Sequence, residues 1–329
     1  MIFGAAARIR RLLHGSGIFS AIRLPRPVLC VGNLSVGGTG KTPHVMHLAK
    51  WLTGLGRRVA ILSRGYGRKS RGVVWVSRGK GGIGDYPECG DEPVLMARSL
   101  PGVPVIVGES RAAAGSEALK HVPVDVFLLD DGFQHLSLAR DFDLLLLDCG
   151  RGLGNRMTIP FGRLREPPSH ARFADGLVVT KCPDAATGEM VANTAPFPAD
   201  RPRAFSRLVP AGMIGADGEP FKSAPSGSKV FVFSGLAGNE QFRDTLSLAG
   251  YIIGGFINFP DHHLYDMQDL ARIARESKGL PVVTTEKDLV RIPRHAPFSI
   301  GALRVDVEFL AGWEQLSGSI LESLEASRR

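Results

Sequence analysis

Residues 27–42 read PVLCVGNLSVGGTGKT, and this stretch decides the fold. Its first half, Pro27–Val31, is a short apolar run of strand character. Glycines crowd the turn at Gly37, Gly38 and Gly40. Lys41 and Thr42 then open a segment whose apolar residues Val45, Leu48, Ala49 and Leu52 recur at helical spacing. Strand, glycine-rich turn and helix together are the layout of a phosphate-binding loop. Glycine lets backbone N–H groups converge on an anion, and a helix N-terminus adds partial positive charge there. Ser35, Val36, Gly37, Gly38, Thr39, Gly40, Lys41 and Thr42 are therefore expected to cradle a nucleoside triphosphate. Lys41 would reach its outer phosphates and Thr42 would ligate Mg2+. The full pattern places glycine six residues before the lysine, where this chain has Ser35.

Outward from this loop, continuous apolar runs recur with helical stretches between them. They lie at Pro27–Val31, Arg58–Leu62, Val103–Val107, Val124–Leu129, Phe142–Leu147 and Gly176–Thr180. Runs without polar alternation fit strands covered on both faces, so the expected fold is α/β with a mostly parallel, P-loop NTPase-like sheet. Between Pro183 and Ser228 the pattern decays into Pro, Ala, Gly and Asp. It resumes with strand Lys229–Ser234, helix Asn239–Ala249, strand Tyr251–Phe259, helix Met267–Lys278 and strand Leu280–Thr285. The expected organisation is a basic amphipathic segment over 1–26, an ATP-binding core over 27–205, a linker over 206–228 and a smaller α/β domain over 229–329 that contributes to the active-site cleft.

Charge is unevenly placed. The chain of 329 residues carries 40 Lys and Arg against 32 Asp and Glu, yet no acid precedes Asp85. A basic N-terminal third suits nucleic acid, anionic lipid or phosphorylated substrates. In the first 24 residues Ile2, Phe3, Ile9, Leu12, Leu13, Ile18, Phe19 and Ile22 interleave with Arg8, Arg10, Arg11 and Arg23. Such a segment suits an anionic membrane interface, and no apolar run is long enough to cross a bilayer. Few aromatics accompany the basic residues, which argues against a nucleic-acid stacking surface. Cys30, Cys89, Cys149 and Cys182 are too dispersed for a metal cluster and read as reduced, packed thiols.

Several short motifs carry chemistry. Val126–Asp131, VFLLDD, delivers Asp130 and Asp131 at the end of an apolar run, where the Mg2+-side acid of a P-loop enzyme belongs. Ser63–Arg68, SRGYGR, offers Arg64 as a phosphate brace. In Gly90–Pro93, GDEP, Asp91 is a candidate general base or a helix N-cap. Pro260–His263, PDHH, offers a catalytic histidine. His262 is favoured because it adjoins Asp261, with His263 left open.

In order along the chain, GNLSVGGTGKTP, SRGYGR, GDEP, DDGFQH, LREP (Leu164–Pro167), FPDHH and TTEKD resemble the tetraacyldisaccharide 4'-kinases of lipid A biosynthesis. The resemblance covers about residues 10–310. It implies a membrane-associated kinase that transfers the γ-phosphate of ATP to the 4'-hydroxyl of a tetraacyl glucosamine disaccharide 1-phosphate. By that resemblance Asp91 and His262 form a dyad activating the sugar hydroxyl, with Lys41 as the third catalytic group. Asp130 and Asp131 organise Mg2+ and the phosphates, and Arg64, Tyr66, Arg165 and Glu166 lie near nucleotide or disaccharide. The segment before LREP reads PFGR, with Arg163 where the family pattern has proline.

The implied partners are ATP, the acylated disaccharide lipid and the cytoplasmic face of the bacterial inner membrane, engaged without a full span. Neither nucleic acid nor an obligate protein partner is expected. The alternative class is a regulatory or metal-delivery P-loop GTPase. Against it, Val36 stands where a second loop lysine would be, and Thr180–Asp184, TKCPD, has one residue too many for a guanine-specificity element.

Overall fold

The computed structural model describes residues 2–236, 238–293 and 295–327, and for Ile2, Phe3, Ala5 and Ala6 the backbone alone. The apolar expectation for Ile2 and Phe3 therefore falls on side chains outside the described set. In chain order the strands are β1 (Val28–Asn33), β2 (Val59–Ser63), β3 (Val74–Arg78), β4 (Pro104–Val107), β5 (Val126–Asp130), β6 (Phe142–Asp148), β7 (Gly176–Thr180), β8 (Arg203–Ile214), β9 (Lys229–Ser234), β10 (Ile252–Asn258), β11 (Val282–Thr285) and β12 (Ile300–Ala311). The helices are α1 (Ile2–Gly15), α2 (Lys41–Gly54), α3 (Asp91–Ser99), α4 (Arg111–His121), α5 (Ala185–Ala192), α6 (Asn239–Leu248), α7 (Met267–Ser277), α8 (Glu286–Arg291) and α9 (Trp313–Ala326).

All twelve strands belong to one sheet, ordered β10-β9-β11-β12-β8-β7-β6-β1-β5-β2-β4-β3. β1, β2, β5, β6 and β7 are buried along their whole length, which is why their sequences are apolar without alternation. β1 lies between β5 and β6, with Val31 level with Asp130. The glycine-rich turn after β1 and the aspartates after β5 therefore emerge side by side at the carboxyl edge, where open α/β sheets bind ligands.

The expected linker over 206–228 is corrected. It holds most of β8, whose first residues continue the parallel sheet beside β7 while the rest pairs antiparallel with β12. The remaining strands thus extend the core sheet. β8 is hard to read from sequence because Pro210 and Gly212 interrupt the run RLVPAGMI (Arg207–Ile214), which lacks a clean apolar period. The ladder accommodates the proline next to a register shift, opposite Val305. β3, β12, α8 and α9 were likewise not anticipated.

α1 ends at Gly15 and is anchored by Arg11. The Arg11 side chain, almost fully buried, donates to Glu166 Oε2 from Nε (3.1 Å) and Nη2 (2.9 Å) and to the Phe133 carbonyl (3.1 Å). Its guanidinium also lies against the Phe133 and Phe173 rings. Removing one partner of such a pair leaves the other charge buried and uncompensated. Arg11→Ala is expected to lower stability toward urea by about 3 kcal/mol. An Arg11→Met, Glu166→Gln double variant should be more stable than Arg11→Ala, because it removes the stranded charge.

Candidate active site

The loop after β1 is held from three sides. Residues 34–36 run antiparallel to 163–165: the Val36 N–H donates to the Arg163 carbonyl (2.8 Å), the Arg165 N–H to the Leu34 carbonyl (2.6 Å), and Ser35 bridges Leu164. Ser35 thus serves through its backbone, as the central residue of a clasp. Gly40 caps α2 at φ 80°, a left-handed conformation that disfavours a side chain. His44, one turn in, is buried, and burial pulls its pKa to about 4. The neutral ring must donate from Nδ1 to the Gly40 carbonyl (2.7 Å), which leaves Nε2 to accept from the Ser206 hydroxyl of β8 (2.9 Å).

Lys181 was missed by the sequence reading. It follows β7 at φ 60°, and its ammonium reaches Asp148 at the end of β6 (2.9 Å), the Gly38 carbonyl and Gln241 of α6 (2.8 Å). The available signal was a Thr-Lys pair ending one strand beside an Asp ending the next.

Asp130 and Asp131 have opposite environments. Asp131, at φ 49°, faces Lys41 (3.6 Å) and Arg165 (2.9 Å). Burial raises its pKa, but Lys41 and Arg165 outweigh burial and hold the carboxylate ionised, below its ordinary range. Asp130 is fully buried and accepts from the Ser63 hydroxyl (2.9 Å) through Oδ2, while its Oδ1 has no hydrogen-bond partner among the described residues. Burial, then the nearby Glu92 and Asp131 charges, push its pKa up to about 7. A buried, unpartnered carboxylate oxygen beside a loop that ends in a threonine hydroxyl is the hard oxygen set that suits Mg2+. These residues fit the ion.

Asp91 is the first residue of α3, and the cap is Gly90, so the N-cap alternative is corrected. Gly90 sits at φ 87°, and a Cβ there would press on the Tyr66 carbonyl at 3.1 Å. Only glycine lets GDEP pack on SRGYGR. From the loop after β10, His262 Nδ1 lies 3.0 Å from Asp91 Oδ2. The Asp91 side chain is 3% exposed and the imidazole 34%, so the ring presents its other edge outward. Lys287 (3.8 Å) and Arg291 (3.6 Å), both from α8, flank the same oxygen. Burial raises the Asp91 pKa, but the His262 hydrogen bond and the Lys287 charge lower it further, below the ordinary carboxylate range. His263 is used otherwise: it pairs with Asp269 (2.7 Å) and stacks on Phe259.

The exposed Tyr66 ring stands 5.5 Å from the His262 ring. Arg64 is exposed on the same loop, with its charge felt by Arg111 and His135. Arg111, unanticipated from sequence, is buried with Nε unpartnered among the described residues, and burial lowers its pKa. His135 is pulled down to about 4 by burial and by Arg111, Arg10, Arg140 and Arg64. Glu166 is corrected: it is buried, holding Arg11 and His170 (3.1 Å), and does not face the cleft. All four cysteines are free and buried, and no cluster of His, Cys, Asp and Glu able to hold a metal occurs among the described residues.

Comparison with known proteins gives one answer. A family model described as tetraacyldisaccharide-1-P 4'-kinase matches residues 1–325. The tetraacyldisaccharide 4'-kinase of Pelobacter propionicus is 40% identical over 304 residues, covering 89% of this chain and 81% of that protein. That of Anaeromyxobacter dehalogenans strain 2CP-C is 40% identical over 332 residues, covering 97% and 87%. Among solved structures, LpxK from Aquifex aeolicus in complex with ATP is similar with a TM-score of 0.81 and 36% identity, covering 98% of this chain and 96% of that one.

The raised pKa of Asp130 has a measurable consequence. Its folded value lies above the unfolded value of about 3.9, so the folded state holds the extra proton across that window and stability falls as pH rises toward 7. In metal-free protein, Asp130→Asn is expected to raise the Tm at pH 8 and to leave it nearly unchanged at pH 4, as read by thermal unfolding.

Proposed function

The chain belongs to the tetraacyldisaccharide 4'-kinase family, and from that premise we propose how its residues divide the reaction among themselves. The protein is an ATP-dependent kinase of lipid A biosynthesis, transferring the γ-phosphate to the 4'-hydroxyl of a tetraacyl glucosamine disaccharide 1-phosphate. ATP and Mg2+ are its cofactors. In our reading the backbone amides of Ser35–Thr42 hold the triphosphate, and Lys41 places its charge on the outer phosphates. Thr42 Oγ1 and Asp130 Oδ1 are the oxygens that would hold Mg2+, with Asp131 fixing Lys41 and Arg165 around them. Bound there, the ion would neutralise phosphate charge.

Asp91 and His262 act as one unit that accepts the proton of the attacking hydroxyl. The 3.0 Å bond between them is the observation that carries this reading. The buried carboxylate fixes the ring's tautomer and orientation, while the exposed imidazole edge meets the sugar. Residues 229–329 serve as the smaller unit completing the cleft, because His262 comes from them. Arg111 and His135, which both feel the Arg64 charge, suit together with Arg64 an anionic group on the acceptor. Tyr66, exposed beside His262, offers a ring for the sugar face.

The acceptor carries acyl chains, so its enzyme must work at a lipid surface. Ile9, Leu12 (71% exposed), Ile18 (67% exposed), Phe19 and Ile22 are exposed on and after α1, alongside exposed Arg8, Arg10 and Arg23. No helix among the described residues is long and apolar enough to cross a membrane. Apolar side chains amid cations suit peripheral or monotopic docking on anionic lipid, and we assign this surface to the cytoplasmic face of the inner membrane.

Two measurements test these assignments. With γ-labelled ATP and the disaccharide 1-phosphate lipid, Asp91→Asn should cut labelled product by about 10^2–10^4-fold with ATP affinity within about twofold of wild type. Undiminished transfer would remove the dyad from the mechanism. An Ile9→Ser, Leu12→Ser double variant should bind anionic vesicles about tenfold more weakly while keeping its Tm. Unchanged sedimentation would place the docking surface elsewhere.

A further inference from the structure

Two guanidiniums converge on one point at the lip of the phosphate loop. A Cβ built on Gly37 would stand 2.8 Å from Arg163 Nη2 and 3.4 Å from Arg151 Nη1. Like charges drawn to one spot repel unless an anion lies between them. Among the described residues neither guanidinium has a carboxylate within ion-pair distance, whereas Lys41 and Lys181, the other cations of the loop, pair with Asp131 and Asp148. Among the described residues the Arg163 side chain makes one hydrogen bond to the loop, a long one from Nη2 to the Val36 carbonyl (3.5 Å), which leaves its other donors open.

The backbones beneath both side chains are fixed. Arg163 sits in the clasp with Val36, and the Arg151 N–H is held by the Asp148 carboxylate at 3.1 Å. Arg151 also reaches toward the second half of the chain, with Nη2 3.5 Å from a Cβ built on Gly238. In a phosphate loop the amides nearest the lysine hold the inner phosphates, so the far lip faces the terminal one. Gly37 is at that lip, four residues before Lys41.

We propose that Arg163, with Arg151 beside it, grips the γ-phosphate of ATP and carries the charge that builds on it during transfer. The proposal rests on the ATP-kinase reading and adds a catalytic arginine supplied by the chain itself. A guanidinium matches the paired oxygens of a phosphoryl group in a way that an ammonium does not. Because the contact is to the terminal phosphate alone, it distinguishes ATP from ADP.

The test is calorimetric titration of ATP and ADP, each with Mg2+, into wild type, Arg163→Ala and Arg163→Gln, together with turnover. We expect ADP affinity to stay within about twofold, the preference for ATP over ADP to fall by about tenfold in both variants, and kcat to fall by about 10–10^3-fold. Arg163→Lys should recover only part of kcat. Arg163 is exposed, so an unchanged Tm should accompany these losses. An unchanged ATP-to-ADP ratio in both variants would overturn the proposal. Failure of wild type to bind either nucleotide would instead sink the ATP reading beneath it.

Discussion

The antiparallel ladder between β8 and β12 is the constraint on which the molecule depends. β8 begins as one more parallel strand beside β7 and then pairs along its remaining length with β12, which runs the other way. This reversal fuses the C-terminal strands to the phosphate-loop sheet. It also seats α8 against α3, so that Lys287 and Arg291 flank Asp91 and the loop after β10 brings His262 to it. Two strand systems separately covered by helices would have no reason to hold these groups within 4 Å. A backbone ladder supplies one, because each of its N–H and C=O groups needs a partner once buried.

Charge is arranged around that frame with little redundancy. Asp91 is buried and Asp131 half-buried, but cations surround both and hold them ionised. Asp130 is buried against a serine hydroxyl and two further acids, and its charge is disfavoured without a cation. One carboxylate in three is therefore left wanting a positive partner, as expected of an oxygen that must leave water for a metal. Strain of this kind belongs at sites where binding, not folding, completes the environment. The opposite logic governs Glu166, which holds Arg11 of the amphipathic helix while Arg11 donates to the Phe133 carbonyl. A residue in a motif next to functional groups can be structural, and only its contacts reveal that.

Much of the fold was legible because its strands are buried on both faces. β1, β6, β7 and β9 announce themselves as unbroken apolar runs, and the glycine cluster before Lys41 fixes where the sheet meets a ligand. β8 and β12 were not legible. Each is long and partly exposed, and β8 contains a proline, so the period that marks a strand is diluted. Lys181 and Arg111 were invisible for a different reason: a lone basic residue says nothing until its neighbours are known. In TKCPD the lysine looks like a failed specificity motif, yet its ammonium lies on the Gly38 carbonyl.

The sequence by itself determined the phosphate loop, the buried strands of the α/β core, the pair of aspartates beyond β5 and the family to which the chain belongs. These are local properties, set by glycine conformational freedom, burial on both faces of a strand and residue order within short motifs. Tertiary structure alone decided which histidine meets Asp91, which aspartate is starved of cations, that Glu166 serves the N-terminal helix, and that two arginines face the lip of the loop. Those outcomes join residues more than a hundred positions apart, as with Asp91 and His262 or Arg11 and Glu166. Long-range pairing depends on how the strands are ordered in the sheet, and no periodicity along the chain encodes that order.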